Sequence, residues 1–129
     1  MLRRSEERCR AARILLDKRL YDACVVAYYY GVLQRMMYAL NEDSRRPLSY
    51  DSQVPINEDI HKKIFTEIRN RITNTREEKA FKEQFEELFN YRKKADYLPD
   101  SITQEECAAC RTLFDGLMAR LNRCFPLRR

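Results

Sequence analysis

Phe81-Lys82-Glu83-Gln84-Phe85-Glu86-Glu87-Leu88-Phe89-Asn90-Tyr91-Arg92-Lys93-Lys94-Ala95-Asp96-Tyr97 reads as one amphipathic helix. Phe81, Phe85 and Leu88 step by four and then three residues, the spacing that keeps side chains on one helical face. The next steps land on Arg92 and Ala95, so an arginine continues the stripe where an apolar residue is expected. Burying an unpaired charge costs several kcal/mol, on the order of a small domain's whole stability. Arg92 must therefore be paired, line a cavity or face a partner.

The rest of the chain extends this helical reading. Its 129 residues suit a single domain over 1–129 with one core. Hydrophobic residues make up 44% and charged residues 35%, with two Gly and four Pro, a composition that favours helices. No Val/Ile/Thr alternation reads as a strand. The net charge of +5 permits polyanion binding without requiring it, because most such charges belong to solvated helix faces. No apolar run of about 18 residues predicts a transmembrane helix, and no apolar signal region follows the start. A cytoplasmic protein without a membrane partner is expected.

The apolar spacing predicts helices over residues 2–18 and 22–41, from about 57, from 75, and from 104 to Cys124. In the first, Cys9, Ala12, Leu15, Leu16 and Leu20 face inward. The second is apolar over most of its circumference and belongs at the centre of a bundle. Residues 41–56, with Pro47 and Pro55, read as an irregular loop of about 15 residues, longer than ordinary helix connections. Asn57 is the expected N-cap of the third helix, whose stripe is Ile60, Ile64, Ile68 and Ile72. Thr75 to Glu78 and Thr103 to Glu106 have the pattern of capping boxes, and Pro99 stops the fourth helix. The expected fold is all-α, an antiparallel bundle of about five helices.

Arg92 and Asp96 are four apart and can pair on one helix. The bland reading is a helix-end ion pair with Tyr97 in the core. The functional reading is an anion or RNA-phosphate site, in which Arg92 forks onto phosphate oxygens and Lys93 and Lys94 add positive potential. His61, the one histidine, is the only candidate for a histidine acid or base, and it lies at the edge of the isoleucine stripe. No second histidine is available for a metal site, and no cofactor is implied. Tyr28, Tyr29 and Tyr30 can stack on bases, but consecutive helical side chains diverge by about 100°, so the three cannot form one platform. The five cysteines fit packed thiols, and Cys107-x-x-Cys110 lacks the context of a redox or zinc motif.

Tyr21-Asp22-Ala23-Cys24-Val25-Val26-Ala27-Tyr28-Tyr29 resembles the second-helix signature of the HEPN superfamily, the higher eukaryotes and prokaryotes nucleotide-binding domains. Arg92, Ala95, Asp96 and Tyr97 match the Arg-x-x-Ala-Asp-Tyr end of a later helix in its small stand-alone prokaryotic members, and His61 falls where these often carry a histidine. The similarity runs over about residues 12–125. The resemblance implies an HEPN-like bundle forming a homodimer, with the motif arginines of both subunits facing a shared cleft. Many such proteins are metal-independent RNases in toxin–antitoxin, phage-defence or RNA-processing systems. Some are partnered by a nucleotidyltransferase antitoxin that adenylylates a tyrosine near the motif, here Tyr97.

The RNase motif of that family places a histidine shortly after the arginine. None follows Arg92, and Asp96 and Tyr97 stand in that region. The candidate catalytic set is therefore Arg92, Asp96, Tyr97 and His61, with Arg92, Lys93 and Lys94 as the RNA or anion contacts. A tyrosine hydroxyl is a poor base near neutral pH. The competing reading is a non-catalytic dimeric interaction module, with Arg92 and Asp96 a structural pair at the dimer cleft.

Overall fold

The computed structural model describes residues 2–17, 21–54, 59–98 and 101–127, with the backbone alone at 2, 3 and 12–17. Among the described residues the regular secondary structure is helical throughout, with no strand. These residues form six helices: α1 (Leu2–Asp17), α2 (Tyr21–Asn41), α3 (Tyr50–Gln53), α4 (Ile60–Arg71), α5 (Thr75–Tyr97) and α6 (Gln104–Cys124). The one beyond the expected five is α3, a single turn inside the long connection, capped by Ser49.

The central position of α2 follows from its sequence. Cys24, Val25, Tyr28, Tyr29, Val32, Leu33, Met36, Ala39 and Leu40 are all buried, and α2 touches every other helix. Against it pack the stripes Ile64/Ile68 of α4, Phe81/Phe85/Leu88 of α5 and Cys107/Cys110/Phe114/Leu117/Leu121 of α6. Gly31 lets the Phe114 ring of α6 approach, since a Cβ there would lie 3.0 Å from it, and its carbonyl accepts from Ser5 Oγ of α1 at 2.7 Å.

Cross-helix bonds fix the helix directions. Arg69 pairs with Glu78, and Lys94 with Glu106, so α4–α5 and α5–α6 are antiparallel as expected. But α2 and α4 run the same way, since Tyr29 meets His61 while Arg71 meets Asp43. The long connection carries the chain back to the level of Tyr29, in the middle of α2. Its first residues are held at the C-terminal end of α2 by Arg71, which donates to Asp43 at 2.8 Å and to the Arg46 carbonyl at 2.8 Å. Buried Gln53 secures it further by donating to the Met37 and Leu48 carbonyls.

Two helix starts differ from expectation. Asp59 caps α4, accepting from His61 N at 2.9 Å, while the expected cap Asn57 lies outside the described residues. Asn74, not Thr75, caps α5, because its side chain reaches Glu77 N and makes Thr75 the first helical residue. The Thr103–Glu106 capping box is present. Pro55, Pro99, Leu20 and the side chains of Ala12, Leu15 and Leu16 lie outside the described residues. Cys24, Cys107 and Cys110 are fully buried, and none of the five cysteines is in a disulfide. Burial pushes the Cys110 thiol up to about 12, which makes it a packing group and not a nucleophile.

Candidate anion site

Three helices bring the site together. Tyr29 and Tyr30 come from the middle of α2, His61 from the first turn of α4 and Arg92 from the last turns of α5. Tyr28 turns away to pack on Phe114, as the helical angle between neighbours requires. Tyr29 and Tyr30 meet edge to face, with centroids 5.4 Å apart, and carry the two polar residues between them. The His61 ring stacks on Tyr29 at 5.5 Å and meets Tyr30 edge-on at 5.9 Å. The Arg92 guanidinium carbon lies 5.3 Å from the Tyr29 ring centre and 5.5 Å from that of Tyr30.

The placement of Arg92 answers the question its sequence position raises. Its neighbours on the stripe, Leu88 and Ala95, are buried, while the Arg92 side chain keeps 22% of its surface. Nη2 donates to the Tyr30 hydroxyl at 3.1 Å. Nε lies 3.1 Å from Asp96 Oδ2 but makes no directed hydrogen bond, so that contact is an ion pair within one helix. Nη1 has no protein partner among the described residues.

His61 accepts its orientation from Tyr29. The Tyr29 hydroxyl lies 2.6 Å from Nδ1. Burial pushes the Tyr29 pKa far above the ordinary tyrosine value, against a downward pull from Arg92, so the hydroxyl keeps its proton. Tyr29 is fully buried, and no other acceptor for its hydrogen is present among the described residues. An unsatisfied buried donor is costly, so Tyr29 donates to Nδ1 and neutral His61 carries its hydrogen on Nε2. The imidazole is thereby a donor on its free side, and its basic nitrogen is occupied.

Burial holds the His61 pKa below its ordinary value of 6.5; Asp59 pulls it up and Arg92 pulls it down. A histidine held neutral in the fold binds fewer protons than in the unfolded chain as the pH falls below about 6.5. Its contribution to stability is thus full above that pH and is lost as the pH drops toward the folded value. The urea midpoint of the wild type should fall more steeply from pH 7 to pH 5 than that of His61→Gln. Parallel curves would show that His61 titrates alike in both states.

The other residues singled out from the sequence divide. Lys93 is exposed, with its Nζ 5.2 Å from the Phe89 ring centre. Lys94 turns to α6 and donates to both Glu106 oxygens, at 3.0 and 2.8 Å, away from the tyrosine pair. Tyr97 is 79% exposed, neither in the core nor against His61. Beyond these residues, Arg8 of α1 places its guanidinium carbon 5.6 Å from the Tyr30 ring centre, with Nε buried and unpartnered. Nothing in the basic opening of the chain distinguishes Arg8 from Arg3, Arg4 or Arg10. Among the described residues no cluster of three His, Cys, Asp or Glu side chains could hold a metal ion. No described helix is long and apolar enough to cross a membrane. Comparisons of the chain with protein-family models, curated proteins and solved structures return no match.

Proposed function

We propose that this is an HEPN-like cytoplasmic protein that binds RNA or a nucleotide through phosphate, as a homodimeric component of a toxin–antitoxin or phage-defence system. One observation carries the reading: Arg92 and His61 both pack against the Tyr29–Tyr30 pair, and the His61 nitrogen that Tyr29 leaves unengaged is Nε2–H. Both present donors and neither presents a free base. RNA cleavage without metal needs a base for the ribose 2′-hydroxyl. Nδ1 of His61 is engaged by Tyr29, Asp96 is paired with Arg92, and Tyr97 stands in solvent, so the geometry favours holding RNA over cutting it.

A gel-shift of single-stranded RNA in EDTA tests this. The wild type should retard the strand and leave it intact, and Arg92→Ala should not retard it. Cleavage by the wild type that disappears in Arg92→Ala would make the protein a ribonuclease; no retardation by the wild type would end the RNA reading.

A second reading has its own support in the exposure of Tyr97 and of the adjoining Leu98, at 79% and 59%. A solvent-facing tyrosine beside an apolar residue is a surface that a nucleotidyltransferase partner can engage and adenylylate, with the protein acting as a non-catalytic interaction module. Co-expression with such a transferase should add one nucleotide mass in the wild type and none in Tyr97→Phe. An unmodified wild type rejects it.

A further inference from the structure

Next to the anion site, α4 and α5 enclose a groove of about 280 Å³ whose wall is aromatic. Phe65 and Phe85 stack at 4.8 Å and 19°, and Phe89 and His61 complete the wall. Asn90, the cations Lys62 and Lys93 and the carboxylates Asp59 and Glu86 also line it. The volume is below that of drug-sized pockets, about 300–1,000 Å³, and suits a single flat ring system. Buried Tyr29 packs behind both groove and anion site, 5.6 Å from Phe85, 5.7 Å from Phe89 and 5.5 Å from His61, with Arg92 at 5.3 Å, and His61 belongs to both.

We propose that this groove takes a nucleobase, stacked on Phe89, while the adjoining phosphate lies on His61 and Arg92. The inference rests on the phosphate reading above and adds the base to it. Aromatic faces hold bases of any sequence, and the amide of Asn90 offers a donor and an acceptor to a base edge. The Lys93 ammonium now over Phe89 is on an exposed, flexible side chain. A base entering there displaces it toward the phosphate, where its charge is useful.

The test compares a single-stranded RNA with an abasic strand of equal length, by fluorescence anisotropy in EDTA, with AMP as competitor. The wild type should prefer the base-bearing strand by about 5- to 150-fold, the range of one stacked base. Phe89→Leu, which keeps apolar volume and removes the ring, should lower that preference about fivefold or more and leave abasic binding unchanged. The wild-type ratio needs no variant, so it stands even if Phe89→Leu misfolds. Equal binding of both strands by the wild type overturns the base groove and leaves the phosphate reading standing, as does an unchanged preference in folded Phe89→Leu. Binding of neither strand ends both. AMP competing at lower concentration than the strand assigns the groove to a free nucleotide; the reverse order assigns it to RNA.

Discussion

Arg35→Ala is expected to lower folding stability by about 2–4 kcal/mol, a large share of the 5–15 kcal/mol typical of a domain. Arg35 is fully buried in α2 and has no carboxylate against it among the described residues. Its Nε donates to Asn122 Oδ1 at 3.1 Å and its Nη2 to the Phe125 carbonyl at 2.8 Å, at the negative end of α6. The Tyr38 ring lies 5.7 Å away, and Nη1 is buried without a partner. Burial lowers the Arg35 pKa, the sign of a charge held at some cost. Alanine would leave a cavity in place of a fully buried side chain and take the partner from the half-buried Phe125 carbonyl, while exposed Asn122 can turn to water. Arg35→Met fills the space and removes the charge, so its cost should be at most about 2 kcal/mol. Urea denaturation measures both. An Arg35→Ala midpoint matching the wild type would mean that Arg35 does not anchor α6.

Arg92→Ala should weaken binding of single-stranded RNA by about 10- to 150-fold. A hydrogen bond to a charged group is worth about 1.5–3 kcal/mol, and each 1.4 kcal/mol is tenfold. The variant also loses the Tyr30 bond and the two ring contacts, but the side chain is partly exposed, so its folding cost should stay near 1–2 kcal/mol. Lys94→Ala is the control. Its ammonium is committed to Glu106, so binding should change by less than about threefold, with only the small stability loss of a surface pair. The salt dependence of binding should flatten by about one counterion for Arg92→Ala and hardly at all for Lys94→Ala. Equal losses in the two variants would reduce Arg92 to one more surface charge.

The core was legible in the sequence because helical spacing determines burial directly. Ile64, Ile68, Phe81, Phe85 and Leu88 are inside, as their steps of three and four require. Tyr97 lies two positions past buried Ala95, on the opposite side of the helix, and its exposure was available from the same arithmetic. Helix starts were less legible. Asn74 and Thr75 are both good caps with a glutamate at the right offset, and only the three-dimensional entry of the chain chooses Asn74. The union of His61 with Tyr29 was not legible. Thirty-two residues separate them, and the direction in which the long connection returns α4 decides which of its ends meets α2. Arg35 was hidden by the apolar residues around it, although a charged side chain on a helix that is apolar nearly all round signals a buried polar contact.

The most direct test of the anion site uses the single histidine, whose imidazole gives one unambiguous pair of ¹⁵N signals. In the free protein near pH 7.5, Nδ1 should be unprotonated and Nε2 should carry the hydrogen. Adding single-stranded RNA should shift the Nε2 signal in the wild type, and the shift should be absent in Arg92→Ala at the same concentration. Imidazole signals that stay fixed while RNA saturates the wild type would contradict the account and put the RNA elsewhere on the protein.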